Sequence, residues 1–284
     1  MSMPKRIPST IPNKAITVDR DFGWANWAIQ LELEFLRRLD VERLARSMDL
    51  ILDAEPVLGC RWISHWRKPL WERLEKSERQ AFELVYGQDE YEKFKSESID
   101  SRIGPQLKAC LWQSADRDCL LIKVCHDVAD AGAVKEIAGA VSSIYCRLAQ
   151  EPNYQPEPNI EGLRDIWQVM RHIPWHAYPG NYLEYWRQNW SVWRVGHSTY
   201  RLPLAHSQGE TLGFAHRFFP ADQVAYLIEY GRTHSATLND VVMAAFIRAL
   251  GLRGGCDGRS RLMASMTVDL RQRYLSSKRG EGEE

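Results

Sequence analysis

The sequence predicts a mixed α/β fold built in two parts, and three observations carry that prediction. Two apolar strand-like runs, Leu107 to Gln113 and Cys119 to Cys125, flank the polar turn SADRD and lead into a helix of regular apolar spacing. An earlier helix opens at Asp40 and is stopped by Pro56. A stretch with three prolines, EPNYQPEPN, then separates this half from a second one. At 284 residues the chain is long enough for one large or two ordinary domains. The expected boundaries are a first subdomain over 1–150, a linker over 151–160, a second subdomain over 161–275 and a disordered polar tail over 276–284.

Element by element, the chain begins with an arm read as mobile. Asp21 to Phe35 carries the alternating and aromatic residues of a strand. Asp40 is a good N-cap, and Val41, Leu44, Ala45, Met48, Ile51 and Leu52 repeat at helical spacing. VLGCRWISHW, residues 57–66, reads as a strand, and the charged, weakly periodic residues 73–103 as helical or irregular surface. After the hairpin, Val134, Ile137, Ala138, Val141, Ile144, Tyr145 and Leu148 form one helical face. The second half opens on a tryptophan-rich segment reaching to about residue 195. A strand over Thr211 to Phe219 follows, then a helix from Ala221 to Gly231 started by Pro220. An apolar helix capped by Thr237 or Asn239 comes next, and a strand over RLMASMTVDL closes the half.

Hydrophobic residues make up 44% and charged residues 26%, ordinary values for a globular chain. Lys plus Arg and Asp plus Glu number 37 each, so no net field draws the chain to nucleic acid or an anionic membrane. No apolar run approaches the ~20 residues a spanning helix needs, and no apolar core follows the basic N-terminus. The expectation is a soluble, cytoplasmic monomer with neither nucleic-acid nor membrane association. The six cysteines, Cys60, Cys110, Cys119, Cys125, Cys146 and Cys256, show no CxxC pair and no zinc-type spacing, so they are read as buried reduced thiols without a metal. Tyr182, Trp186, Trp190 and Trp193 fall on one helical face with Arg187 and Arg194 nearby. Such a face can rest on a membrane or line an acyl channel, but the preferred reading packs the rings between two subdomains.

The stretch that carries chemistry is C125-H126-D127-V128-A129-D130-A131-G132, at the junction of a strand end and a helix start. Strand ends feeding loops present reactive groups on α/β scaffolds. A histidine there can take a proton near neutral pH, its unperturbed pKa being ~6.5. Asp130, four residues on, can brace the loop. Cys125 and His126, adjacent on a strand, point to opposite faces, so no thiol–imidazole dyad is expected. Asp127 could orient the histidine only through a sharp backbone turn.

The spacing of histidine, three residues and aspartate, before a glycine-containing turn and an amphipathic helix, resembles the HHxxxDG motif of condensation domains, wax-ester synthases and related acyltransferases. It also resembles the HxxxD motif of plant and antibiotic acyltransferases. LDVERLARSMDLILDAEPVLGCRW resembles the first helix and following strand of that superfamily. TLNDVVMAAFIRAL resembles its "TxNDVxLAAxxxAL" helix, and MTVDLRQRY the strand and arginine beyond. Among its members the chain is most similar to standalone condensation-like proteins.

The resemblance implies a chloramphenicol-acetyltransferase-like sandwich with a full first subdomain and an incomplete, C-terminally truncated second one. It implies acyl transfer from a thioester on coenzyme A or on a carrier protein's phosphopantetheine arm to an amine or hydroxyl, with no bound cofactor and with an acyl or peptidyl carrier protein as a candidate partner. An inactive condensation-like binding or scaffold protein is the alternative. His126 takes the place of the base and Asp130 that of the structural aspartate, which usually meets an arginine; Arg61 and Arg271 are candidates for it. Backbone N–H groups of Ala131 and Gly132 are candidate oxyanion donors, since developing charge needs donors fixed in advance. Asn239 could border the cleft, although capping is its simpler role. Cys125 stands where the first motif histidine is expected, and Ala131 where the glycine is. Alanine would be strained if that turn requires positive φ.

Overall fold

A computed structural model describes residues 6–8, 28–63, 70–160, 176–195 and 217–254. The chain divides into two compact units, Met1–Arg171 and His172–Glu284. In chain order the first unit contains β1 (Arg6–Pro8), β2 (Ala28–Phe35), α1 (Val41–Ala54), β3 (Cys60–Ile63), β4 (Leu70–Arg73), β5 (Phe82–Val85), α2 (Gln88–Ser96), β6 (Leu107–Gln113), β7 (Asp118–Cys125) and α3 (Ala131–Gln150). The second contains α4 (Ala177–Val195), α5 (Ala221–Thr233) and α6 (Leu238–Arg253). One sheet has the order β1-β4-β3, all antiparallel, and the other β2-β7-β6-β5, in which β5 runs parallel to β6.

Strand β7 is the spine of the larger sheet, and all eight of its residues are buried. Leu120, Ile122 and Val124 join a core with Leu44, Met48 and Ile51 of α1 and Val134, Ile137, Val141 and Ile144 of α3. Cys119 and Leu121, with Cys110 of β6, instead meet Tyr91 and Phe94 of α2. Cover on both faces explains why this run shows no alternation of polar residues. Lys123 Nζ donates to the carbonyls of Phe94 and Glu97, where it satisfies the C-terminal end of α2. At the start of the strand, the buried Asp118 carboxylate accepts from Leu39 N–H at 2.7 Å, Arg38 Nη1 at 2.6 Å and Gln113 Nε2 at 3.2 Å. Burial alone would raise its pKa, but those donors outweigh burial and hold the carboxyl below its usual range.

Helix α1 starts as expected: Asp40 Oδ1 accepts Arg43 N–H at 3.0 Å, and Asp40 N–H donates to the Tyr145 hydroxyl of α3 at 2.9 Å. Arg73 closes its far end, with Nη1 donating to Leu52 O and Pro56 O at 2.6 Å each. The Nη2 of Arg73 and Nη1 of Arg79 both bond Asp53 Oδ1, at 2.5 and 2.7 Å.

Several expectations are corrected. Part of the N-terminal arm is a strand, because Arg6–Pro8 pairs with the free edge of β4. The strand expected over 57–66 starts only at Cys60, since Pro56–Gly59 forms a 3-10 turn, and residues 64–66 lie outside the described residues. Within 73–103 the helical expectation holds for α2, but the stretch also supplies β5, and Tyr91 and Phe94 of α2, three residues apart, are buried rather than at the surface. Of Asp21 to Phe35, the strand occupies Ala28–Phe35, and residues 21–27 lie outside the described residues. The proline-rich segment 151–160 is held on the first unit through Asn159, whose N–H donates to Ala54 O at 2.7 Å and whose Nδ2 bonds the Glu55 carboxylate. Cys60, Cys110, Cys119 and Cys125 are buried, whereas Cys146 is exposed; Cys256 lies outside the described residues.

In the second unit, Thr237 caps α6 and forms a reciprocal capping box with Asp240, leaving Asn239 as an exposed helical residue rather than the cap. Gly231, at the end of α5, is buried against the turn, and a Cβ there would lie 2.7 Å from Ala236 O. The aromatic face of α4 carries Tyr182, Trp186, Trp190 and Trp193, which are 57–74% exposed. The rings touch one another, and Arg194 sits over Trp190 at 5.9 Å. Of the strand expected over Thr211 to Phe219, residues 217–219 carry no regular structure; the remainder, and all of the strand expected over RLMASMTVDL, lie outside the described residues. Among the described residues no single helix is long and apolar enough to cross a membrane.

Candidate active site

The motif occupies the junction of β7 and α3. Cys125 is the last residue of β7 and is buried; His126 follows at once and is exposed. The turn closes through Val128 N–H to Cys125 O at 3.1 Å. Val128 and Ala129 are each 8% exposed and tie the far side of the turn into the core. The imidazole therefore projects from a loop anchored on both sides. Among the described residues no side chain bonds the ring, so both nitrogens remain open to a reactant.

Asp130 is the N-cap of α3, its Oδ1 accepting Ala133 N–H at 2.9 Å while its carbonyl accepts Val134 N–H at 3.0 Å. This explains the aspartate chemically: a carboxylate satisfies an orphan donor and complements the positive end of the helix. Ala131 and Gly132 are thus the first two helical residues, whose N–H groups have no acceptor within the helix. Among the described non-glycine residues, Ser235 alone has positive φ, so Ala131 is unstrained and the worry about alanine at that position is removed.

Asp127 does not orient the histidine. Its Oδ2 accepts from the Cys125 thiol at 3.6 Å. Burial, then the neighbouring Asp127 charge, pushes the Cys125 pKa up to about 12, so the sulfur stays protonated and is no nucleophile. Arg61 pairs with Glu72, its cross-strand neighbour on β4, through Nε at 3.0 Å and Nη2 at 2.7 Å, which commits the guanidinium within its own sheet rather than to Asp130. Asn239 belongs to the second unit, and Arg271 lies outside the described residues. The structure thus places His126, Asp127 and Asp130 in the turn between β7 and α3, with Ala131 and Gly132 opening the helix.

One contributor left no trace in the motif. The Cys125 N–H, at the root of the turn, donates to the backbone carbonyl of Gln106 at 2.8 Å. A backbone contact carries no side-chain signature; the only hint was a polar residue directly before the apolar run of β6. A cavity of about 270 Å³ is lined by Arg46, Asp49, Asp53, Lys76 and Arg79 with Leu50, Leu52 and Gln155, none of them from the motif.

The sheets backed by helices make a mixed α/β fold of the chloramphenicol-acetyltransferase-like class. No family model matches the sequence, and no curated protein matches it. The chain is similar in structure to the SgcC5 protein from Streptomyces globisporus, at a TM-score of 0.55 and 18% identity over 81% of this chain and 54% of that one. It is also similar to the epimerization domain from the third module of tyrocidine synthetase B, at a TM-score of 0.60 and 17% identity over 93% of this chain and 65% of that one. The chain therefore spans between half and two thirds of the length of these structures.

Proposed function

We propose that this chain is an acyltransferase of the condensation-domain superfamily, moving an acyl group from a thioester onto an amine or hydroxyl. The donor is carried on coenzyme A or on the phosphopantetheine arm of a carrier protein. The observation that carries the reading is the His126 ring, exposed and without a side-chain partner, beside the first turn of α3. A base needs an accessible lone pair, and acyl transfer needs hydrogen-bond donors where negative charge develops.

His126 takes the proton from the acceptor as its nitrogen or oxygen attacks the thioester carbonyl. The new C–N or C–O bond forms a tetrahedral oxyanion, for which the N–H groups of Ala131 and Gly132 are the candidate donors. Collapse breaks the C–S bond, and the leaving thiolate receives the proton from the imidazolium. Asp130 holds the turn by capping α3 and does not touch the substrate.

The test is thiol release from a panel of acyl-coenzyme A and acyl-carrier-protein thioesters, with amine and hydroxyl acceptors. Wild-type protein is expected to turn over repeatedly, and His126→Ala to lose transfer while its circular dichroism is unchanged. Undiminished transfer in His126→Ala refutes the assignment, and thioester binding without turnover in the wild type points instead to a binding module.

A further inference from the structure

Gln106 is 0% exposed and sits directly before β6. Its backbone N–H donates to Leu58 O at 2.7 Å, and its backbone carbonyl accepts the Cys125 N–H at 2.8 Å. That second bond adds a rung beyond the last paired residues of the hairpin, Leu107 and Val124. Its side-chain Nε2 donates to the carbonyls of Cys60 at 2.9 Å, Ser101 at 2.9 Å and Gly104 at 3.1 Å. Ser101 O also accepts Trp62 N–H at 2.7 Å, so the same point reaches β3. Gln106 joins the smaller sheet, the 101–104 turn and the end of β7.

Three acceptors compete for the two hydrogens of one amide, while Oε1 is buried with no partner among the described residues. A buried acceptor left unmet costs free energy, which the bonds donated by Nε2 offset. What the amide also provides is a fixed origin for the catalytic turn. Cys125 N–H is held by Gln106, Cys125 O is held by Val128 N–H, and His126 lies within the turn that the second bond closes. A shift of Gln106 moves the imidazole.

We propose that Gln106 is a positioning residue for His126, an inference that rests on the acyl-transfer reading. The side-chain amide locks the backbone of Gln106, which sets the direction in which the ring projects. Misplacement of a base by about an ångström can cost up to ~100-fold in rate.

The experiment compares wild type, Gln106→Met and Gln106→Glu for kcat, KM and the His126 ring C–H resonance, assigned by its loss in His126→Ala. Methionine removes every side-chain donor; a buried glutamic acid, neutral at that site, keeps one. The expected order of kcat is wild type, then Glu, then Met, with Met lowered about 10-fold and KM held within about 2-fold. The His126 resonance is expected to move in Gln106→Met. Should Gln106→Met fail to fold, Gln106→Glu makes the comparison with the wild type. Folded variants with wild-type kcat and an unmoved resonance overturn the inference, even if they melt earlier. If the wild type shows no His126-dependent transfer, the acyl-transfer reading fails and the resonance decides alone: a shift supports the positioning role, and its absence overturns it.

Discussion

Lys123 gives the sharpest handle on the energetics of the larger sheet. The side chain is 1% exposed, and burial, partly opposed by Glu97, pulls its pKa from an ordinary 10.5 down to about 8. Between those two values the unfolded chain keeps the lysine proton and the folded chain has released it. Stability must therefore rise with pH across that window, and this contribution is lost as pH falls through about 8. At about 1.4 kcal/mol per pH unit, the full span corresponds to roughly 3 kcal/mol. Cys110 and Cys125 act in the opposite sense, since burial pushes each thiol from 9.0 up to about 12. Unfolded thiols ionise first, so they erode stability above pH 9. Because Lys123 and Cys110 interact, the comparison of Lys123 with Lys123→Met is made in a Cys110→Ala background, where the remaining cysteine contribution cancels. Urea unfolding followed by far-ultraviolet circular dichroism, from about pH 7 to about pH 10.5, should show the Lys123 protein gaining on the Lys123→Met variant by roughly 1 kcal/mol per pH unit above pH 8. Parallel pH profiles would refute the reasoning, because a lysine that stays charged and solvated makes no such difference.

Three further outcomes are expected. Asp130→Ala removes the cap of α3 and should cost about 1 kcal/mol in urea unfolding, with Asp130→Ser restoring most of it; equal losses in both variants would argue against capping. Asp53→Ala removes the carboxylate shared by Arg73 and Arg79, which are only 9% and 11% exposed, while the Arg73 bonds to Leu52 O and Pro56 O remain, and should cost about 3 kcal/mol in the same assay; a loss below about 1 kcal/mol would show that the cluster is solvated. Gly231→Ala must push aside the Ala236 carbonyl, at a cost of about 1–3 kcal/mol, with faster protease cleavage between α5 and α6; unchanged cleavage would show that the turn relaxes freely.

The sequence was most legible where local signals agree. The β6–β7 hairpin is marked by two apolar runs around a polar turn, and α1 by its Asp40 cap and a full apolar stripe. The motif loop was found because its residues are consecutive, so strand, turn and helix start had to lie together. Elements that depend on distant partners were less visible. Strand β5 has four residues and pairs in parallel with β6 across an intervening helix, while β1 has three residues and exists through the edge of β4. Helix α2 shows only two apolar residues, and its burial depends on Lys123 and the second face of the sheet. That Glu72 faces Arg61 across β3 and β4 is a matter of register, which sequence order cannot show. The roles of Arg73 and Gln106 depend on carbonyl acceptors, which every residue possesses and no side-chain pattern reveals.

Strand β7 is indexed along its length. Asp118 fastens one end, Lys123 plugs into the terminus of α2, and Gln106 holds the other end. A slip of one residue would thrust the ammonium group into the α1–α3 layer and turn Leu120, Ile122 and Val124 away from it. The alignment is thus keyed by polar pegs rather than by the length of the connecting turn. Arg38 ties the Ser114 and Ala115 carbonyls of that turn to the Asp118 end, so Asp116 is the place where added residues would disturb the pegs least.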